Sequence, residues 1–363
     1  MRRPLLLSTL VLMIALGSAA VVAEDKPAAD IKPGDWVEVT SKDCAKLCRG
    51  FVTEIGTATI AIQTKLGQDK AVIEFERTNV TVRLIEAPPE QAPEKDKSGW
   101  HGEKMPEGMR KAEEKNVYLW SAPEGLEIQM VYVPPGDFVM GSDDGDDDEK
   151  PRHKRAMPWG YYVGRYETTW KEYRAFCRAT GRATPTTPRW GGKDDHPVVN
   201  VSWDDTKAFC DWAGLSLPSE AQWEKAARGT DGRQFPWGND WNPQLLNFND
   251  SSCTDGHDWQ DTSADDGYGY TAPVGSYVAG KSPFGAHDMA GNVWEWCADW
   301  YDENAHERYA KGQTNPPAQG ELRVLRSGGW DSHAVLCRCA LRSRFPPPNQ
   351  CDFLGFRPVK NLD

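Results

Sequence analysis

The sequence predicts an α+β protein with a small all-β domain, followed by a larger domain of short helices and long irregular segments. Five short alternating segments lie within residues 30–87, whereas three helix-start signals lie between residues 169 and 229. The 33 Gly and 26 Pro favour turns over long helices, and the 16 Trp can still fill a core. Strands in one run and helices in another are typical of α+β proteins.

Residues 1–23 have the pattern of a secretory signal peptide. Two arginines precede an apolar run over residues 5–16, and small residues follow it. The run is shorter than the roughly 20 residues that a transmembrane helix needs. We expect cleavage after Ala23 or Ala20, a secreted or periplasmic mature protein, and no integral membrane segment after cleavage. An uncleaved anchor is the alternative.

Residues 30–87 predict a small SH3-like β-barrel. Alternating positions predict strands at 34–39, 50–55, 57–63, 71–75 and 80–84. Cys44 and Cys48 lie between the first two. In an exported chain, with no second pair or histidine nearby, this spacing favours a local disulfide over a metal site. SH3-like barrels serve many functions, so this domain assigns none.

Residues 88–115 are rich in Pro, Glu and Lys, which is typical of a linker. The main domain is expected over residues 116–360. Its acidic run at 143–149 fits no defined cation-binding loop, and we expect a solvated surface loop there.

Three helices of the main domain are predicted by capping boxes, in which two side chains three positions apart cap each other's backbone N–H. The boxes, with the glycine expected to end each helix, are Thr169 and Glu172 before Gly181, Ser202 and Asp205 before Gly214, and Ser219 and Gln222 before Gly229. Beyond residue 230 the helical period disappears, and irregular backbone is expected.

The stretch PFGAHDMAGNVWEWCADW at 283–300 is the one around which the domain is organised. Trp294 and Trp296 would share one face of an extended strand, with Glu295 on the other. The odd spacing of the positions before them could turn two carboxylates and two backbone carbonyls toward one point, as calcium prefers. A Gly-Asn turn into a Trp-rich core strand is the alternative. The four residues of this cage are Asp288, Gly291, Val293 and Glu295.

Seven short blocks follow one another across residues 117–360. They are VPPGDFVMGS at 133–142, GRYETT at 164–169, PVVNVSW at 197–203, LPSEAQWEKAARG at 217–229, FPWG at 235–238, GNVWEW at 291–296 and LGFR at 354–357. Together and in this order they resemble the formylglycine-generating enzyme, or sulfatase-modifying factor, family. The resemblance implies the C-type-lectin-like variant fold of that family, a core of short strands with peripheral helices and long loops.

The resemblance also implies two structural calcium sites. The first is the cage described above, where the family has Asn at the position of Asp288; the aspartate adds a negative charge and should bind calcium at least as well. For the second calcium site, whose residues are given next, the alternative interpretation is an ordinary turn at 265–267. The residues carried over to the second site are Asn247, the carbonyl of Phe248, Asp266 and the carbonyl of Tyr268.

The family's catalysis rests on two cysteines five residues apart, whose thiolates bind Cu(I) while dioxygen oxidises a sulfatase cysteine to formylglycine. When the family's motif is aligned on Trp330, its first cysteine position falls on Ser332 and its second on Cys337. A hydroxyl cannot replace a thiolate on Cu(I), so the catalytic pair is incomplete and a copper site is not expected. Anchored instead on residues 338–343, Cys339 takes the place of a structural cysteine and Cys337 loses its match.

The remaining cysteines and the histidines suggest structure more than chemistry. On a strand, Cys337 and Cys339 would point the same way, about 6–7 Å apart at Cα, which suits a linear two-thiolate site poorly. Cys210 falls at a half-cystine position of the family, and Cys351 could be its partner. Six histidines, at 153, 196, 257, 287, 306 and 333, have no partner at metal spacing.

The sequence is consistent with two alternative functions of the main domain. One is a non-catalytic family member whose cleft, lined by Trp294, Trp330 and Arg326, binds a peptide or protein ligand. The alternative is an active copper-dependent oxidase that converts a cysteine of a sulfatase-like substrate to formylglycine. The net charge of −12 argues against nucleic acid as a partner.

Overall fold

The computed structural model describes residues 105–362 in full and, before them, the backbone of five strands between residues 36 and 84. The chain divides into two compact units, Met1–Glu94 with Asp363, and Lys95–Leu362. The expected signal peptide at 1–23 lies outside the described residues. No helix in the described part of the chain is both long and apolar enough to cross a membrane.

The described strands of the first unit form one antiparallel sheet. Its strands are β1 (Trp36–Ser41), β2 (Cys44–Ile55), β3 (Thr59–Leu66), β4 (Asp69–Glu76) and β5 (Val80–Leu84), in the order β4-β3-β2-β1-β5. Five strands are therefore found where five are predicted. However, β2 begins at Cys44 and not near residue 50, so Cys44 and Cys48 lie in a strand and not between two strands. Their side chains lie outside the described residues, and the SH3-like barrel stays a prediction.

Over residues 105–362 the second unit contains three sheets of short strands. Its strands are β6 (Met109–Lys111), β7 (Val117–Ser121), β8 (Glu127–Val133), β9 (Phe138–Met140), β10 (His153–Arg155), β11 (Tyr161–Gly164), β12 (Trp294–Trp300), β13 (Arg323–Arg326), β14 (Ser343–Phe345), β15 (Leu354–Gly355) and β16 (Val359–Asn361). The sheet orders are β16-β11-β8-β7-β6, β10-β9 and β14-β13-β12-β15. Only the β12–β15 pair is parallel among these described strands.

Part of the predicted linker belongs to this second unit. Met109, at the start of β6, is 8% exposed and packs in the main core, and β6 pairs with β7. The prediction of a linker as far as residue 115 is therefore wrong, because a three-residue strand is too short to leave an alternating pattern. Residues 85–104 lie outside the described part.

The three predicted helices are confirmed, with their caps. They are α1 (Trp170–Thr180), α2 (Trp203–Ala213) and α3 (Glu220–Arg228), each with both hydrogen bonds of its capping box. Gly181 and Gly214 end the first two helices in the left-handed conformation that glycine adopts without strain. A fourth, six-residue helix, α4 (Ala305–Ala310), lies in the region where no helix was expected.

Two hydrophobic clusters meet along β12. Helices α1 and α2 pack on the first cluster, which contains Phe209 and Trp296. Helix α3 packs on the second through Trp223, beside Val131 and Cys297. Because successive residues of a strand face opposite ways, β12 contributes to both clusters and fixes the position of the loops at its ends.

The acidic run at 143–149 is more structured than its composition predicts. Glu149 is fully buried, and both its oxygens accept hydrogen bonds from the Arg338 guanidinium, at 2.7 and 2.8 Å. Asp148 accepts a hydrogen bond from the Tyr301 hydroxyl at 2.6 Å. The expectation of a solvated loop is therefore wrong at its C-terminal end, since partners about 150 to 190 positions away in sequence leave no local pattern.

Candidate functional site

Strand β12 orients the 283–300 stretch as the alternation predicts. Trp296 is fully buried in the first cluster, and Trp294 packs in the same cluster at 8% exposure. Glu295 points the other way and accepts a hydrogen bond from Trp223 Nε1, in the second cluster, at 2.8 Å. Cys297, directly after Trp296, is a fully buried thiol.

The carboxylate of Glu295 is satisfied by protein groups. Arg357 donates Nη2 to Oε1 at 2.6 Å and Nε to Oε2 at 2.7 Å, and Trp223 donates to the same Oε2. Glu295 and Arg357 are both fully buried, so each charge depends on the other for its compensation. A calcium ion at Glu295 would have to share an oxygen that already has a cationic partner.

Asp288 has a second acidic neighbour that the motif spacing did not show. Asp288 lies at φ 56°, and its Oδ2 accepts a hydrogen bond from the Gly275 N–H at 2.6 Å. Glu167 is 1% exposed; its Oε1 accepts a hydrogen bond from Asn292 at 2.9 Å, and its Oε2 has no N–H or O–H donor within the described residues. Burial raises the pKa of both carboxyl groups, and the Asp288 charge raises the pKa of Glu167 further.

At the second predicted calcium cage, Asp266 hydrogen-bonds the N–H groups of Phe248 and Tyr268, whose carbonyls were the expected ligands, so the cage itself stays a prediction. Oδ2 of Asp266 accepts a hydrogen bond from the Phe248 N–H at 2.8 Å and its Oδ1 from the Tyr268 N–H at 2.9 Å. Burial raises the pKa of Asp266 to about 7. Asn247 donates Nδ2 to the Tyr270 carbonyl at 2.8 Å, while its buried Oδ1 has no hydrogen-bond partner in the part of the chain that the structure describes.

The two predicted cages adjoin. Asn247 and Gly291 form an isolated parallel bridge, and the Asn292 N–H donates to the Asn247 carbonyl at 2.8 Å. The residues Asn247 and Asp266 offer a hard cation two oxygen ligand types, an amide oxygen without a partner among the described residues and a half-buried carboxylate that accepts two backbone N–H bonds. The first cage fits a cation on the side of Asp288 and Glu167, but not at Glu295.

Ser332 lies beside the turn that precedes it. Its hydroxyl accepts hydrogen bonds from the Gly329 N–H at 2.9 Å and from Trp294 Nε1 at 3.1 Å, and it donates to Asp331 Oδ1 at 3.3 Å. Ser332 is 3% exposed. Its hydrogen-bonding capacity is therefore fully used as a neutral hydroxyl.

Cys337 and Cys339 face different clusters. Residues Ala334–Cys337 form a 3₁₀ turn and not a strand, so the parallel orientation expected for the two thiols is wrong. Cys337 packs beside Leu246 and Phe248, and Cys339 packs in the second cluster beside Cys297. Burial raises the pKa of both thiols.

The copper expected of the family does not fit these residues. Cu(I) requires two thiolates, and the position beside Trp294 that would supply the first holds a hydrogen-bonded hydroxyl. Cys337, which would supply the second, is fully buried and its raised pKa disfavours the thiolate.

Arg326 is not a lining residue of a cleft. It is fully buried and donates to Glu220 at 3.0 Å and Glu224 at 2.6 Å. The same Glu220 binds Arg342 at 2.6 and 2.9 Å. Although burial alone would raise the pKa of Glu220, Arg342 and Arg326 lower it to about 2. This network fastens α3 to β13 and is structural.

An aromatic surface, defined here as Trp190, Tyr270 and Trp330, lies near Ser332. The rings of Trp190 and Tyr270 stack at 4.4 Å and 4°, and both meet the Trp330 ring edge-on at 5.2 Å. The Arg189 guanidinium also lies over the Tyr270 ring, 4.9 Å from its centroid. Of the predicted cleft residues, Trp330 is only 3% exposed and supports the half-buried rings of Trp190 and Tyr270 from beneath, and Trp294 donates a hydrogen bond to Ser332.

The disulfide that Cys351 could have formed with Cys210 is not present. Both residues are free thiols, although both lie against the first hydrophobic cluster. The other described cysteines, at 177, 253, 297, 337 and 339, are also free.

The similarity to known proteins lies in the second unit of the chain. Residues 120–362 match the sulfatase-modifying factor enzyme 1-like domain. The chain belongs to the sulfatase-modifying factor family. A formylglycine-generating enzyme of Thermomonospora curvata is 32% identical over 297 residues, covering 65% of this chain and 94% of that protein. The α+β class is that of this family.

Two further relatives differ in what their names state. The inactive Cα-formylglycine-generating enzyme 2 of Bos taurus is 30% identical over 287 residues, covering 64% of this chain and 88% of that protein. The solved structure of PvdO from Pseudomonas aeruginosa superposes with a TM-score of 0.57 at 27% identity, covering 65% of this chain and 95% of that chain. The sulfatase-modifying factor family thus includes proteins named as active and as inactive.

Proposed function

We propose that this member of the sulfatase-modifying factor family is a non-catalytic protein that binds a peptide or protein ligand outside the cytoplasm. The observation that carries the proposal is the state of Ser332. Its hydroxyl is buried and its three hydrogen bonds are all to protein groups, so it offers Cu(I) no soft ligand. The existence of a relative named inactive supports the same conclusion.

The aromatic surface is the proposed ligand contact. Trp190 and Tyr270 are half-buried, so each presents part of a flat ring to solvent, and the exposed Arg189 lies beside them. Such rings contribute contact area at low cost in side-chain entropy, and a guanidinium adds hydrogen bonds to backbone carbonyls of a ligand. The location outside the cytoplasm rests on the signal-peptide pattern at 1–23.

Calcium has a structural role in this proposal. Asn247 and Asp266 would hold one ion, with the carbonyls of Phe248 and Tyr268 that the family resemblance implies. Asp288 would hold a second with the carbonyls of Gly291 and Val293. Bound calcium would neutralise buried carboxylates and order loops that no sheet restrains.

The alternative is an active copper-dependent oxidase. Its support is the 32% identity to a protein named as a formylglycine-generating enzyme and the presence of Cys337 at the second thiolate position. In that case another thiol would have to replace the one absent at Ser332.

The test compares wild type, Ser332→Cys and Ser332→Ala. Wild type and Ser332→Ala should bind Cu(I) equally weakly in competition with a chelator and should leave a sulfatase-derived cysteine peptide unoxidised. Ser332→Cys should bind Cu(I) more tightly, because it restores two thiolates. Tight Cu(I) binding together with formylglycine formation by the wild type would overturn the proposal and establish the oxidase.

Ligand binding is measured separately with the same cysteine peptide and its serine analogue. Intrinsic tryptophan fluorescence should report binding of both peptides to wild type and weaker binding to Trp190→Ala. Equal affinity of Trp190→Ala and wild type would exclude the aromatic surface as the contact.

A further inference from the structure

A cysteine, an aspartate and a histidine meet in the loop between Asp250 and Ala264. The sulfur of Cys253, a carboxylate oxygen of Asp255 and a ring nitrogen of His257 all lie within 4.8 Å of one another. Sequence spacing gave His257 no partner at metal distance, and that prediction is wrong. The chain turns at Gly256, at φ 67°, and the turn brings alternate side chains together where an extended strand would keep them apart.

We propose that Cys253, Asp255 and His257 bind one divalent transition-metal ion of the zinc class. A thiolate, a carboxylate and an imidazole are the three ligand types that such ions accept together, whereas calcium takes oxygen ligands. Three protein ligands leave the fourth position of a tetrahedral ion open to water or to a ligand. The inference does not depend on whether the chain is catalytic.

Cys253 and His257 are prepared for this role by their surroundings. Cys253 is 4% exposed, and burial raises the pKa of its thiol although the backbone N–H of Asp255 opposes that shift, so the sulfur would give up its proton only on binding the metal. The ring of His257 stacks on Trp259 at 4.7 Å and 10°, which holds its plane. Its Nε2 is buried and has no hydrogen-bond partner among the described residues.

Asp255 is held by two neighbours. One oxygen forms an ion pair with Arg189, and the other accepts a hydrogen bond from the Tyr270 hydroxyl at 3.1 Å. Such outer contacts orient metal-binding carboxylates, although the guanidinium also opposes an incoming cation. Metal binding would release the Cys253 proton, and the thiolate charge formed in that step would offset the opposition.

The cluster needs only a small movement to close on an ion. Bonds of about 2.0–2.3 Å in a tetrahedral site place ligand atoms roughly 3.5 Å apart, so the three atoms would approach one another by about 1 Å. Gly256 has no atom within 4 Å of the position a Cβ would take, which leaves the turn room to move. Trp259 ties the loop to the chain beside Ser332, since its Nε1 donates to the Asp331 carbonyl at 3.0 Å.

The test uses Co²⁺ as a spectroscopic probe of the metal-free full chain. One Co²⁺ per chain should bind and produce a thiolate-to-cobalt charge-transfer absorption, and Zn²⁺ but not Ca²⁺ should displace it. Cys253→Ser should abolish the absorption, and His257→Gln should weaken Co²⁺ binding by at least about tenfold.

The controls are Cys351→Ser and His333→Gln, which remove a half-buried thiol and an exposed imidazole elsewhere. Both should bind Co²⁺ as wild type does. Loss of the absorption in Cys351→Ser, or its survival in Cys253→Ser, would place the metal at another site and overturn the proposal. Circular dichroism of each variant separates loss of a ligand from loss of the fold.

Discussion

His306 is a buried imidazole with no hydrogen-bond partner in the described part of the chain. It is fully buried, and neither ring nitrogen is bonded. Burial and the Arg342 charge lower the pKa of His306 to about 4, although Glu224 and Glu220 oppose the shift and His153 adds to it. The folded chain therefore keeps this ring neutral at pH values where the unfolded chain protonates it.

This depressed pKa makes His306 a source of acid instability. The neutral ring makes its full contribution to the free energy of unfolding above about pH 6.5. That contribution, about 3 kcal/mol, is lost as the pH falls toward 4. His306→Phe keeps a flat ring that does not titrate, so its free energy of unfolding should fall less steeply across that interval. Urea unfolding at several pH values measures this slope. His333→Gln is the exposed control, and an unchanged slope in His306→Phe would contradict the assignment.

At the scale of elements, the turn into β12 offers the sharpest test of calcium. Calcium at about 100 times its dissociation constant should stabilise the fold by about 2.7 kcal/mol, because it binds only the folded loops. Asp288→Asn keeps an oxygen ligand and tolerates the left-handed φ of 56°. Asp288→Ala removes the oxygen ligand and places a residue there that adopts this φ only with strain. The melting temperature should rise with calcium in wild type and Asp288→Asn but much less in Asp288→Ala.

Glu295 cannot serve as the matched variant in that experiment. Removing it would leave Arg357 buried and unpaired at a cost of about 3–5 kcal/mol, with or without calcium. Equal melting temperatures of wild type in calcium and in EDTA would show that the stretch is only a turn into a core strand.

The elements that could be predicted from sequence are those whose signals are local. The capping boxes at Thr169, Ser202 and Ser219 and the alternation across β12 involve residues one to three positions apart, and all were found. The cages could be proposed only from family resemblance. Glu167, which lies beside Asp288, is 121 positions from it in the chain, and no local period shows such a pair.

The turn at Gly256 shows the same limit at the candidate metal cluster. Alternation predicts where side chains point only along a strand, and the loop from 249 to 264 is closed by contacts such as Gln260 Nε2 to the Cys253 carbonyl at 2.6 Å. A thiol and an imidazole four positions apart are brought together by that closure and not by their spacing.

At the scale of the whole molecule, the second unit carries its own core and every site described above. Both large hydrophobic clusters are built from residues between 109 and 362, and so are the cages, Ser332 and the aromatic surface. A unit with a complete core is expected to unfold cooperatively by itself.

Residues 95–362, expressed alone, should therefore fold and retain the calcium response. Calorimetry of the full chain should show two transitions, of which calcium shifts one, and the shorter chain should reproduce the shifted one within a few degrees. The full chain with Asp288→Ala is the control, since its second-unit transition should lose most of the shift. If the shorter chain shows no cooperative transition while the full chain does, residues before 95 complete the fold of the second unit, and the division at Glu94 is then not a boundary between independent domains.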